Sequence, residues 1–376
     1  MRILFLNQYF PPDPAPTGAL FAEIADALRT RGHETRFIDA GQAYRSGQGQ
    51  AGRMRRELSA LVRMLRLGLL EPRPDVVISG TSPPCLAFVG QCIAQRHGAR
   101  SIHWCMDLYP EIAVALGEVK EGVLCRLIRK VMSWSYRHTS TLVALDGDMA
   151  SRLSEHGVNP RVIRPWVLDW HSNPAVDARS STDWTWLYSG NLGRAHEWET
   201  LLEAQAILEK NKRDIALVFQ GGGPSWNGAR VRAEELGLKG ITWRTYAPDS
   251  EVCASLLQAQ CLAVTQKTEV QGMLWPSKLA LMLALPRPIL FIGPVDGDIA
   301  RALRRLPHAG IFKPGNASGV AEWLTQAREQ GVPVDPRNVI DAGAHRTACI
   351  EEWIGIVESP SLRKEIDAVV SPTKVG

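Results

Sequence analysis

The chain has 376 residues, 45% hydrophobic and 22% charged, with 43 Lys and Arg against 39 Asp and Glu for a formal charge of +4. That length predicts two domains with apolar material for two cores, in a globular protein. The charge balance, with no dense basic run interleaved with aromatics, excludes a nucleic-acid partner but suits anionic small substrates or an anionic membrane surface.

Taken from the amino terminus, residues 2–7 (RILFLN) form a continuous apolar run that predicts a buried strand. The opening is cut by Pro11-Pro12 before it reaches signal-peptide length. A Pro-rich loop through Thr17 and Gly18 precedes a helix carrying Leu20, Ile24, Ala27 and Leu28. Thr17 is placed to cap that helix, and Gly18 lets a ligand approach the backbone where free N–H groups favour an anion, the alternative being a rigid turn whose glycine serves packing. Strands are expected at 34–38, 75–79, 101–104 and 141–145, with helices between them, the grammar of a parallel α/β domain. Residues 53–70 (RMRRELSALVRMLRLGLL) predict a helix with its apolar side on the core and a solvated basic face. The alternative for the same helix is a surface helix on an anionic membrane.

After the strand at 101–104 come Met106, Asp107, Leu108, Tyr109, Pro110 and Glu111. Asp107 stands at a carboxyl edge, where it can orient a sugar hydroxyl or stabilise positive charge at an anomeric carbon. Tyr109 is an acceptor-side candidate, and Glu111 is expected to cap the next helix. Asp146-Gly147-Asp148 and Asp296-Gly297-Asp298 match a metal-binding spacing, but each precedes a helix, so capping is the reading adopted and no metal is expected.

Residues 169–182 are polar and aperiodic and read as a linker. The domains expected are therefore 1–168 and 183–345, with a terminal helix at 346–357 and a tail to 376 that can fold back on the first domain. The second series has strands at 184–189, 215–220, 241–243, 261–265 and 288–292. Asn191, Gly193 and Arg194 follow its first strand and Gly222 and Gly223 its second; a guanidinium grips a diphosphate through two parallel hydrogen bonds. The glycine turn lacks the spacing of a dinucleotide fingerprint, so no nicotinamide cofactor is expected. Further on, Lys267 and the run Met273-Leu274-Trp275-Pro276-Ser277-Lys278 lead into a helix whose first turn Pro276 suits. Ser277 and Lys278 then bring a hydroxyl and an ammonium to a helix start, a cradle for pyrophosphate. The seven cysteines are scattered, odd in number and without a CxxC pair, which points to a reducing cytoplasm.

The segments NQYFPPD with Thr17-Gly18, MDLYPEIAVALG, YSGNLGRAHEWETLLEA, GGGP and PSKLALMLALPRPIL, in that order, resemble the retaining family-four glycosyltransferases of GT-B architecture. The likeness is to the bacterial branch that builds surface polysaccharides. The resemblance implies two facing Rossmann-like, doubly wound parallel sheets and transfer of a sugar from a nucleotide-diphosphate donor to a hydroxyl acceptor with retention. It implies no metal and no further cofactor; a glycan or lipid-linked acceptor and a cytoplasmic enzyme are expected, with contact at the inner membrane face following from the membrane alternative for residues 53–70. Carried over by position, Gly18, Arg194, Lys267, Ser277 and Lys278 surround the diphosphate, and Arg244 to Tyr246 border the base. Two family glutamates are replaced by Met273 and Leu281, a histidine by Met106, and the phosphate-loop arginine and lysine by Asn191 and His196. Those replacements keep two alternatives open: a nucleotide-sugar epimerase of the same architecture and a non-catalytic binding subunit.

Overall fold

The computed structural model describes residues 1–13, 15–41, 50–168 and 184–359. The apolar runs become strands because helices cover both faces of each parallel sheet. The first half comprises β1 (Arg2–Leu6), α1 (Pro16–Thr30), β2 (Glu34–Ile38), α2 (Gln50–Leu70), β3 (Val76–Ser79), α3 (Leu86–His97) and β4 (Arg100–Trp104). It continues with α4 (Glu111–Ala115), α5 (Val123–His138), β5 (Thr141–Ala144), α6 (Gly147–Ser154) and β6 (Arg161–Val162). The second half comprises β7 (Thr185–Asn191), α7 (Glu199–Lys210), β8 (Ala216–Gly222), α8 (Trp226–Glu235), β9 (Ile241–Arg244), α9 (Val252–Gln258) and β10 (Cys261–Thr265). Then follow α10 (Lys278–Leu283), β11 (Ile289–Ile292), α11 (Asp298–Leu303), β12 (Ala309–Phe312), α12 (Ala317–Gln330) and α13 (Ala342–Glu358).

Two six-stranded sheets result, in the orders β2-β1-β3-β4-β5-β6 and β12-β11-β10-β7-β8-β9, the doubly wound architecture expected. Every pairing between these strands is parallel. The sequence reading missed β6 and β12: one is two exposed residues long, and the other is only partly buried. The expected linker 169–182 lies outside the described residues.

The terminal helix α13 starts already at Ala342, because the Asp341 carboxylate accepts a hydrogen bond from Ala344 N at 2.9 Å. It packs on α1 of the first domain. Its Trp353 ring lies 4.8 Å from Trp104, which stacks on Trp166 at 5.7 Å. The Glu23 carboxylate accepts from Trp166 Nε1 and from Arg346 Nε. The Arg100 guanidinium donates to the carbonyls of Ile356, Val357 and Ser359, satisfying the end of the helix.

Helix α2 departs from its expected pattern. Ala60, Met64 and Gly68 face inward, while Met54, Leu58, Val62 and Leu69 are exposed at helical spacing beside Arg55 and Arg66. Its outer face is therefore mixed apolar and basic, not merely basic.

Candidate functional site at the meeting of the two sheets

Asp107 follows β4, Asp148 follows β5, Gln271 follows β10 and Asp298 follows β11. All four make contacts between the two halves, so the carboxyl edges of the sheets face each other, where α/β sheets bind ligands. Asp107 forms an isolated antiparallel bridge with Leu274, and Leu108 N donates to Met273 O at 2.9 Å.

Within the second sheet the strand order reverses between β7 and β10, and the candidate donor residues gather there. The ends of β7 and β8 touch backbone to backbone. A Cβ on Gly221 would sit 2.2 Å from Gly190 O, and one on Gly223 would sit 2.5 Å from Asn191 Oδ1, so both turns require glycine. Tyr246 lies over Gly222, and its hydroxyl donates to Asn191 Oδ1 at 3.4 Å. Asn191, Gly222, Gly223 and Tyr246 are thus brought together, with Gly193 on the same loop and Arg244 exposed at the end of β9. The loops after β7 and β10 are tied by Lys267 N donating to Ala195 O and by a 2.8 Å contact between His196 Nδ1 and Thr265 O. The carbonyl can only accept, which puts the proton on Nδ1 and leaves Nε2 as an acceptor. Burial, with the Lys278 ammonium next, lowers the His196 pKa to about 3, keeping the ring neutral.

Lys278 is the first residue of α10, preceded by Ser277 as the N-cap residue, whose side chain is exposed and makes no capping bond. Pro276 precedes the cap rather than lying in the first turn. The Lys278 ammonium stands 3.7 Å from the Tyr188 ring centroid and lies against Gly190. Its Nζ is buried and has no hydrogen-bond partner among the described residues. Burial lowers its pKa from 10.5 to about 7. A buried ammonium without an acceptor is costly, and an anion at the β7/β10 crevice would relieve that cost.

On the first domain, half-buried Asp107 has its pKa raised to about 6 by burial. Thr81 Oγ1 accepts from Met106 N at 2.8 Å and donates to Trp104 O at 3.3 Å, fixing the turn that presents Asp107. Thr81 and Tyr188 were not among the sequence candidates, since neither residue type advertises its role outside its contacts. Tyr109 is half-buried against the core beside Asp107.

Several expectations change. Thr17 is not a cap: α1 begins at Pro16 after Ala15, and the Thr17 hydroxyl lies 3.5 Å from Asn7 Nδ2. Gly18 is buried, and a Cβ there would meet Tyr9 O at 2.5 Å, so the close approach it allows is to the chain's own backbone. Glu111 does not cap α4; its carboxylate accepts from Arg129 Nε at 3.0 Å. Met273 buries its side chain and offers only its carbonyl to Leu108. Arg194 faces Glu118 of the first domain, Nε to Oε1 3.8 Å. Asp146 does cap α6, accepting from Met149 N at 2.8 Å. Asp148 and Asp298 lie in first turns, but their carboxylates reach across the domain boundary. Among the described residues no group of three or more His, Cys, Asp or Glu side chains converges to hold a metal ion, and no helix is long and apolar enough to cross a membrane.

Residues 17–166 match the glycosyl transferase 4-like domain. The chain is 25% identical to a protein named as a glycosyltransferase, WbjE of Pseudomonas aeruginosa, over 76% of this chain and 74% of that one. It is 26% identical to a glycosyl transferase named for colanic acid biosynthesis, WcaI of Escherichia coli strain K12, over 87% of this chain and 92% of that one. Among solved structures, Anabaena HepE in complex with UDP and glucose superposes with a TM-score of 0.70 at 12% identity, covering 96% of this chain and all of the other. Residues 17–166 thus carry a glycosyl transferase 4-like domain, and the chain has the GT-B fold and is similar over most of its length to proteins named as glycosyltransferases.

Proposed function

We propose that the enzyme takes a nucleoside-diphosphate sugar at the β7/β10 crevice and transfers the sugar, with retention, to a hydroxyl of a glycan or lipid-linked acceptor held by the first domain. The observation that carries this reading is the buried, unpartnered ammonium of Lys278 at the crevice. HepE, with UDP and glucose bound, has the same fold and makes a uridine diphosphate donor the first to test. Lys278 neutralises charge on the departing diphosphate, with the exposed Ser277 hydroxyl and Arg194 at the mouth, and Tyr246 and Arg244 border the base. Gly193, Lys267 and the turn of Gly222 and Gly223 line the approach. Asp107, beside Tyr109, faces the transferred sugar as a carboxylate and steadies positive charge at the anomeric carbon. Retention follows from the family resemblance: the acceptor hydroxyl attacks on the face the diphosphate leaves, and its proton passes to the leaving oxygen. The positive charge the leaving group needs comes from Lys278, so no metal is required. Titrating the enzyme with uridine diphosphate in excess chelator tests the site. Binding by the parent and more than tenfold weaker binding by Lys278→Ala are expected; equal affinity refutes the assignment.

The acceptor side faces an anionic bilayer in this reading. Of the exposed large apolar residues, Met54, Leu58, Val62, Leu67, Leu69 and Leu70 lie on α2, and Val123, Leu124 and Leu127 on α5. Both helices pack on α3. Helix α5 contains no acidic residue and exposes Arg126, Lys130 and Arg137; α2 exposes Arg55, Arg63 and Arg66. In a parallel α/β domain each helix runs back against its strands, so the first turns of α2 and α5 lie at the edge that carries Asp107. Apolar side chains among exposed cations fit an anionic lipid surface, which would deliver a lipid-linked acceptor to the site. The protein should float with vesicles containing phosphatidylglycerol but not with phosphatidylcholine alone, and Leu58→Asp with Leu127→Asp should abolish flotation. Flotation with neither lipid ends this part of the reading.

A further inference from the structure

The aspartates of the two Asp-Gly-Asp segments do more than start helices. Asp148, in the first turn of α6, accepts three hydrogen bonds, all from the second domain: Asp298 N at 2.8 Å, Gln271 Nε2 at 3.0 Å and Arg301 Nη2 at 2.8 Å. Asp298, in the first turn of α11, answers by accepting from the first domain: Arg164 Nη2 at 2.7 Å and Gly147 N at 3.4 Å. Each helix start is thus served by a carboxylate from the opposite domain. The approach is close enough that a Cβ on Gly272, at φ +67, would sit 2.9 Å from the Asp148 carbonyl.

The segment so gripped is the one that leads to Lys278. Arg152 Nε donates to Gln271 O at 2.7 Å, Gln271 reaches Asp148, Met273 O accepts from Leu108 N, and Leu274 bridges to Asp107. Among the described residues, the hydrogen bonds that the second domain gives this stretch are short-range: Gln271 N donates to Thr268 O, Met273 N to Val270 O, and Gln266 Nε2 to Leu274 O at 3.1 Å. Buried Trp275 and Pro276 then run directly into Ser277 and Lys278. The first domain therefore holds residues 271–274 at both ends.

We propose that Asp148 is a positioning residue of the donor site: by clasping Gln271, Asp298 and Arg301 it seats the 271–274 loop and so sets the place of the Lys278 ammonium, coupling contact between the domains to competence of the phosphate site. This rests on the donor-site reading above. Asp148 is mostly buried and Arg301 half-exposed, and an ion pair of that kind adds little to folding. What the carboxylate supplies is geometry across a boundary.

The test compares Asp148→Ala and Asp148→Asn in the full chain, by thermal melting, small-angle scattering and steady-state kinetics with the donor that supports turnover. Asp148→Ala should melt within a few degrees of the parent, scatter with a larger radius of gyration and lose at least tenfold in kcat/KM for donor. The alkaline limb of its kcat/KM profile should move upward as Lys278 gains solvent. Asp148→Asn should fall between the two, since its amide oxygen still accepts from a backbone N–H. Parental kcat/KM and an unmoved alkaline limb in a folded Asp148→Ala overturn the proposal. So does a loss of folding shared by Asp148→Asn, which would make the residue structural only. Should Lys278→Met transfer sugar at the parental rate, the donor-site reading fails instead, a result independent of either Asp148 variant.

Discussion

Replacing Lys278 by methionine separates stability from activity, because the structure assigns the two opposite signs. Burial lowers the Lys278 pKa from 10.5 to about 7. Between those values the unfolded chain holds a proton that the ligand-free fold has lost, so this group makes the fold more stable as pH rises from about 7 to 10.5. Below about pH 7 the folded protein carries the full penalty, about 5 kcal/mol, and at pH 7 about 4 kcal/mol. Contact with the Tyr188 ring offsets about 1 kcal/mol of that burial penalty, and methionine loses it. Lys278→Met keeps an unbranched side chain of similar length and removes the charge. It should therefore stabilise the ligand-free protein by roughly 2–4 kcal/mol at pH 6, raising the midpoint of thermal unfolding by about 5 °C or more, with a smaller gain at pH 9. Transfer should fall at least 100-fold, since lost stabilisation of a leaving oxyanion costs about 3 kcal/mol of barrier. Saturating uridine diphosphate should raise the parent's midpoint and leave the variant's nearly unmoved. The measurements are scanning fluorimetry at the two pH values and product formation from labelled donor. A variant that melts below the parent at pH 6, or one that transfers at the parental rate, refutes the reasoning.

Other expectations follow from the same geometry. If free enzyme needs Asp107 ionised and Lys278 protonated, kcat/KM for donor should peak between about pH 6 and about pH 7, falling on either side. The alkaline limb of kcat should lie higher, because bound diphosphate holds the Lys278 proton; pH profiles of both constants check this. Thr81→Val keeps the shape of the side chain but removes the acceptor for Met106 N, and should lower kcat about tenfold while donor KM stays near the parent's. Trp353→Ala opens a cavity between Trp104 and the end of α13 and should cost about 3–5 kcal/mol, read by urea unfolding.

Much of the architecture was readable because apolar runs such as RILFL, DVVIS and CLAVT can only be covered on both faces in a parallel sheet. Asp146 was readable as a cap because its partner, Met149 N, is three residues away. Asp148 and Asp298 have the same local look, yet their partners lie 150 residues off, and no local rule distinguishes a carboxylate that serves its own helix from one that serves another. The stretch Pro-Ser-Lys drew attention as a helix start. That the Lys278 ammonium is buried without an acceptor depends on Tyr188 and Gly190, which come from a strand almost ninety positions earlier. Gly18 and Thr17 misled for the converse reason: Tyr9 and Asn7, the residues that claim them, sit in a loop with no periodicity to reveal its path.

The return of α13 to the first domain has a consequence for dissecting the enzyme. The amino-terminal half is discontinuous along the chain: its Trp104–Trp166 stack is roofed by a tryptophan encoded near the other end, and Arg100 anchors carbonyls there. A fragment ending at residue 168 would expose that aromatic surface to water and should aggregate. Supplying a peptide of residues 341–359 in trans should restore a soluble, monodisperse half. The polypeptide thus passes between the two lobes twice, and any pivoting of one against the other must be accommodated at both crossings together.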